Sequence, residues 1–262
     1  MNLHAVLAVV LILAVPLIPA EVRDEIHLQW SICDPNPHIV LQKLGEDSRG
    51  GPKKQNPITY FDTDPPVYLQ QGRMFRTKRS HHEDLSVVKV RFVEETSDIP
   101  DTVNCVWDRY GDQTFFTCEM RSPLNDDDDD DGMSLWNDEQ VRFAERYGDI
   151  VWEELVAFGP FLNAKWKLHL EGFKAVFDDV VVQSHHLMEI EIKVSTLEGD
   201  GVYHVVTKYL REHGLELCDD QESKTLRLFQ VLGYRIEPAL VVASHDLRWK
   251  VKALDLAAVG VV

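Results

Sequence analysis

Same-sign charges recur at every second position along one segment after another of this chain. Arg76 and Lys78 stand in GRMFRTKRS, Lys89 and Arg91 in LSVVKVRF, Lys165 and Lys167 in AKWKL, and Glu189 and Glu191 in LMEIEIK. The positions between them carry Phe75, Val88, Val90, Trp166, Leu168, Ile190 and Ile192. A period of two sends successive side chains to opposite faces, so each segment reads as a strand with one ionic and one apolar face. An open sheet would turn the ionic face to water. A closed barrel does the reverse when helices cover its apolar outside, and the charges then line a polar bore. Taken singly, LMEIEIK fits a half-exposed strand, or a pair of carboxylates holding a hard cation such as Mg²⁺. The recurrence across strands favours a bore, and a bore rich in cations with a few carboxylates suits a polyanion bridged by metal.

The rest of the chain supplies the elements such a barrel needs. DEIHLQWSI carries Glu25, His27 and Gln29 on one face and reads as a strand. ITYFDTD, AVFDDVVVQ and both arms of TVNCVWDRYGDQTFFTCEM around Gly111-Asp112 read likewise. WNDEQVRFAERYGDIVWEELVAFG, GVYHVVTKYLREHG and SKTLRLFQVLG read as helices, Ser223 being placed to cap the third. Strands outnumber helices, and the helices fall between hairpins. The fold class is therefore α+β built on an antiparallel sheet. NDDDDDDG is a solvated loop of mutually repelling charges. His81-His82 and His185-His186 sit near predicted connections and read as loop residues, not zinc ligands.

The opening MNLHAVLAVVLILAVPLIPAEVRDE holds an apolar run too short for a membrane span, followed at once by charge. It reads as a signal peptide over 1–20, a signal anchor being the alternative. That leaves 21–262 as a single domain, secreted or in the secretory lumen, with no stable membrane span once the leader is removed. Cysteine usage agrees with an oxidising compartment. The hairpin register sets Cys105 opposite Cys118 and Trp107 opposite Phe116, which predicts a Cys105–Cys118 bridge and leaves Cys33 and Cys218 as a second pair. Buried free thiols are the alternative. A formal net charge of −17 at pH 7 opposes binding to nucleic acid or anionic membranes, so the basic strands run against the global trend.

In their order these motifs resemble the CYTH superfamily, the triphosphate tunnel proteins that include class IV adenylyl cyclases, thiamine triphosphatases and inorganic triphosphatases. TYFDT resembles the tyrosine-rich strand before the first basic hairpin, and GRMFRTKR the Leu-Arg-x-Arg-type strand with Arg76 and Lys78 at tunnel positions. SVVKVRF resembles the strand ending in a phosphate-binding lysine, here Lys89, and CEMR puts Glu119 at an inward glutamate. In the second half, AKWKL is similar to a basic strand carrying Lys167, and FDDVVV to the aspartate strand through Asp179. MEIEI is similar to an acidic strand with Glu189 and Glu191, and ESKTLR to an element supplying a late lysine, Lys224. The likeness runs from about Glu25 to Gln230 and rests on order and spacing.

The resemblance implies a closed antiparallel eight-stranded tunnel with helices packed outside. It implies a small phosphorylated ligand gripped by Arg76, Lys78, Lys89, Lys167 and Lys224. A divalent ion, Mg²⁺ or Mn²⁺, would be held by Glu25, Glu189 and Glu191, and Glu119 or Asp179 would position water in a triphosphatase-like hydrolysis. The family's Glu-x-Glu-x-Lys signature, however, is replaced by Glu25-Ile-His27-Leu-Gln29. Imidazole in place of carboxylate favours Mn²⁺ or Zn²⁺ over Mg²⁺, and the missing lysine removes a charge that would neutralise phosphate oxygens. Two rivals to the hydrolase follow. One is a secreted, non-catalytic binding protein on the same scaffold; the other is a biosynthetic enzyme acting on a diphosphate ester.

Overall fold

The computed structural model describes residues 24–46, 50–79, 83–124 and 135–236. The leader, the aspartate run and His81-His82 lie outside the described residues. Ten strands form: β1 Glu25–Ile32, β2 Lys54–Gln55, β3 Ile58–Asp62, β4 Arg73–Lys78, β5 Leu85–Phe92, β6 Asn104–Tyr110, β7 Gln113–Pro123, β8 Val156–Leu170, β9 Phe173–Val182 and β10 His185–Ser195. Nine of them close a ring in the order β8-β3-β4-β5-β7-β6-β1-β10-β9, with β9 pairing back onto β8. The two-residue β2 adds to β8 outside the ring.

Eight antiparallel strands were the expectation; nine in a mixed ring are found. Strand directions can alternate all the way round only when the number is even. A ring of nine therefore needs a like-directed pair, and β1 with β6 supplies it. The strand segments legible in the sequence already numbered nine, and the figure of eight came from the resemblance. The cysteine hairpin has the predicted register, Cys105 opposite Cys118 and Trp107 opposite Phe116. Disulfides join Cys105 to Cys118 and Cys33 to Cys218. Both fit an oxidising compartment, and no helix among the described residues is long and apolar enough to cross a membrane.

Four helices accompany the ring: α1 Pro37–Lys43, α2 Asp138–Glu145, α3 Gly199–Glu212 and α4 Lys224–Val231. α1 was not foreseen; Asn36 caps it, accepting from the Ile39 N–H. Asn137 and Gln140 close a capping box on α2. The sequence suggested one helix from Trp136 to Gly159, but α2 stops at Glu145 and β8 begins at Val156. Gly148 takes a φ of 144°, a region L side chains avoid, with the Arg73 guanidinium packed where a Cβ would sit. His185-His186 is likewise strand, not loop: Gln183 at φ 54° tightens the turn, and both histidines join the β9–β10 ladder.

Two of the three apolar clusters lie outside the ring. Leu28, Trp30, Ile190 and Ile192 meet Val202, Val206 and Leu210 of α3, with Trp30 stacked on Tyr203 at 5.0 Å. Phe75, Val88, Val90 and Phe116 meet Phe143 and Ala144 of α2. Each buried side chain of this kind contributes about 1.5–3 kcal/mol, so the apolar face of each strand is held outward. The third cluster differs. Tyr60, Met74, Val180 and Leu187 share strand faces with residues of the lumen, and they pack against Leu226, Leu228 and Phe229 of α4. Helices were expected only on the outside. α4 instead caps one mouth of the barrel, its apolar residues packing on these inward-facing side chains while its first turn sends Lys224 into the lumen.

Candidate functional site

The ionic faces do meet. A lumen of about 180 Å³ is lined by eight Lys or Arg and five Asp or Glu side chains, a formal excess of three positive charges inside a chain of net −17. Arg76 and Lys78 come from β4, Lys89 and Arg91 from β5, Lys165 from β8, Asp178 from β9, Glu189 and Glu191 from β10. Lys224 enters from the first turn of α4, flanked by Ser223 and Thr225.

Most of the carboxylates are matched by cations. Asp108 is fully buried; it accepts from Lys89 Nζ at 3.1 Å and Gln29 Nε2 at 3.0 Å, and His27 Nδ1 lies 3.5 Å away. Burial works to raise its pKa, but Lys89, Arg91 and His27 prevail and hold it below the ordinary value. Asp178 pairs with Lys165, and Lys224 Nζ lies 3.0 Å from Asp178 and 3.3 Å from Glu189. Glu119 pairs with Arg121 and approaches Arg76 Nη2 at 3.9 Å. Glu189 is matched too but differs in direction: burial raises its pKa even against Lys224.

Matching is incomplete on the cationic side. Among the described residues Lys78 forms no ion pair, and its pKa is driven well below the usual lysine range by Arg76 first, then by burial and Lys165. The buried lining atoms Tyr60 Oη, Arg76 Nε and Thr117 Oγ1 have no hydrogen-bond partner among the described residues. The fold itself is shared with solved structures. HpAC1 from Hippeastrum, provisionally named an adenylyl cyclase and reported with a dominant triphosphatase activity, superposes with a TM-score of 0.51 at 14% identity, over 78% of this chain and 95% of its own. A Bacillus halodurans protein, also provisionally named an adenylate cyclase, superposes at 0.51 with 12% identity, over 79% and 99%. This chain has the CYTH-like tunnel fold. No family model and no curated protein matches its sequence.

Within this CYTH-like tunnel, Arg76, Lys78, Lys89, Glu119, Glu189, Glu191 and Lys224 line the lumen. Three other candidates do not. Lys167 shares the face of Lys165 but lies two residues further along β8, where it is exposed. Asp179 points outward and bonds His186 Nδ1 at 2.8 Å; its neighbour Asp178 takes the inner position. Adjacent strand residues face opposite ways, and a bare FDDV sequence does not say which aspartate is inside. Glu25 sits on the lumen-facing side of β1 but outside the lining, bonded to His27 Nε2 at 2.9 Å.

Sequence reasoning missed Asp108, Arg121 and Tyr60, and it chose Lys167 over its same-face neighbour Lys165 as the phosphate-gripping lysine. Asp108 had a readable signal, since the register of Cys105 and Trp107 places it on the other face of the hairpin. The carboxylates also bear on metal. Among the described residues no three His, Cys, Asp or Glu side chains converge on one point. Asp108, Asp178, Glu119 and Glu189 are committed to Lys or Arg. The residues expected to hold a divalent ion, Glu25, Glu189 and Glu191, therefore do not fit one as they stand.

Acid should expose the pairs. Burial favours a higher pKa for Glu119, but Lys89, Arg76, Arg121 and Lys78 bring it from 4.5 down to about 2. Lys224 and Lys165 do the same for Asp178, overcoming burial to bring it from 3.8 to about 2. A depressed carboxylate stabilises the fold above its unfolded pKa, and that stability is lost as pH falls through the folded value. Between about pH 4.5 and 2, wild-type stability in urea melts should fall more steeply than that of Glu119→Gln. Parallel acid limbs for the two proteins would contradict the pairing.

Proposed function

We propose that this protein binds the phosphate chain of a tri- or diphosphate ligand in its tunnel, and that it does so as a secreted or secretory-lumen protein. The observation that carries the reading is the knot of Arg76, Lys78, Arg121 and Lys165, in which like charges press on one another without enough carboxylate to balance them. Repelling cations held in a bore store an anion site: a phosphate chain replaces the missing counter-charge. Arginine grips phosphate oxygens in pairs and lysine as a point charge. Lys89, Arg91 and Lys224 extend the same surface along the tunnel, and Tyr60 and Thr117 offer neutral hydroxyls. α4 closes one end, so the chain of phosphates enters from the other.

Binding is favoured over hydrolysis because His27 and Gln29 stand in the signature strand and most lumen carboxylates are engaged by cations. Hydrolysis is the second reading, and what favours it is the triphosphatase activity reported for the Hippeastrum protein of like fold. Calorimetry with tripolyphosphate, in EDTA and again with Mg²⁺ or Mn²⁺, separates the two when phosphate release is followed alongside. The expected result is binding that survives EDTA, with no phosphate released.

Lys78→Met gives the proposal a signature of its own. Tripolyphosphate affinity should fall about 10- to 100-fold, the weight of one charge-assisted hydrogen bond. The free protein should at the same time melt at a higher temperature, since a repelling, desolvated cation has been removed. Unchanged affinity would remove the tunnel from the account. A lower melting temperature would show Lys78 to be a structural partner instead.

A further inference from the structure

We infer that a second ligand site lies outside the tunnel, in a cavity of about 490 Å³ on the outer face of β8 and β9, and that it takes a small, uncharged, mainly apolar molecule whose polar end sets an acceptor beside a donor, as a lactam does. The cavity is independent of the lumen. Ala164 pairs with Asp179 and Trp166 with Phe177, on the face opposite the Lys165–Asp178 pair of the bore. Its walls are mainly apolar, with Pro37 of α1, Pro52 and Pro57 of the strap beside β2, and Leu162, Ala164 and Val181 of the sheet, while His38, Gln55 and Asn56 add polar groups. Leu162 is left 67% exposed. Volume and lining match those of small-molecule pockets, which bury an apolar body and fix it with a few polar groups.

Two such groups stand in the wall without partners; the side-chain amide of Asn163, likewise unmatched, lies on the opposite strand face, that of Lys165. Asp179 is only 3% exposed; His186 occupies its Oδ2, and among the described residues nothing reaches Oδ1. Trp166 Nε1 is buried and equally unmatched, its ring stacked on Phe177. One acceptor and one donor are thus buried unpaired, which costs stability unless an occupant pairs both. An anion would meet the Asp179 carboxyl, and an ammonium ion would leave the indole N–H unmatched. A lactam carbonyl accepts from Trp166 while its N–H donates to Asp179. Burial raises the Asp179 pKa despite His186, consistent with a neutral, poorly hydrated pocket.

The test uses 2-quinolinone and its N-methyl derivative, which keeps the carbonyl and loses the donor. Binding to ¹⁵N-labelled protein is followed at the Trp166 indole resonance, identified by its loss in Trp166→Phe. Quinolinone should shift that resonance, undisturbed by excess tripolyphosphate, and N-methylation should weaken binding about tenfold. Ala164→Phe, which fills the cavity, should abolish it. Equal affinity for the two compounds, displacement by tripolyphosphate, or no binding to folded wild-type protein would each overturn the inference. Should Ala164→Phe fail to fold, the N-methyl comparison on the wild-type protein decides.

Discussion

Lys224→Met is expected to cost about 3–5 kcal/mol in a urea melt at pH 7, enough to unfold a marginal domain. The ammonium bridges two carboxylates that are themselves almost wholly buried, Asp178 at 6% exposure and Glu189 at 7%. Burial by itself lowers its pKa, yet Asp178 and Glu189 outweigh that and hold it above the usual lysine value. Methionine keeps the volume and leaves both acids without their shared cation. The loss should shrink as pH falls toward 5, because Glu189, whose folded pKa is already raised, then takes up a proton more readily than the unfolded chain does. Glu189→Gln in the same background should recover part of it. A loss below about 1 kcal/mol, the size of a surface pair, would mean that the lumen is wetter than the contacts imply.

Removal of the Cys33–Cys218 disulfide should cost about 5 kcal/mol by loop-closure entropy, against about 3 kcal/mol for Cys105–Cys118. The first spans 185 residues and the second only 13. The long link also has a local task. It ties the residue after β1 to the segment that leads into α4, beside the Ile32–Leu217 bridge and the Cys218 N–H bond to Ser31 O. Freed of that tie, α4 should hold Lys224 in the lumen less firmly. Cys33→Ala/Cys218→Ala should therefore weaken tripolyphosphate binding as well as stability, whereas Cys105→Ala/Cys118→Ala should affect stability alone. Urea melts and calorimetry on the two double variants check both halves. Equal losses, or binding lost in the hairpin variant only, would contradict the assignment.

Much of the barrel was legible because its information is local. Period-two alternation marks a strand and names its two faces, so Arg76, Lys89, Glu189 and Glu191 could be assigned to one surface from their neighbours alone. The hairpin between Tyr110 and Gln113 fixed its own register through the turn, and the opposed cysteines came with it. Where faces had to be chosen between equals, local information ran out. Asp178 and Asp179 are chemically identical, and Lys165 and Lys167 share a face; only the ladder with β9 and the position along the strand separate them. Asp108 was overlooked because the hairpin was read for its cysteines.

The amino-acid order by itself determined which residues alternate, which face of each strand is ionic, and that most of the chain pairs as antiparallel sheet. Those properties depend on neighbours one or two positions away. Whether the ionic faces look inward or outward was decided only by closure, when α2 and α3 covered the apolar side and β9 found β8. The ninth strand, the parallel seam between β1 and β6, and the cap made by α4 were decided there too. Each joins residues far apart in the chain, and no short-range rule specifies which distant surface an apolar face will bury against.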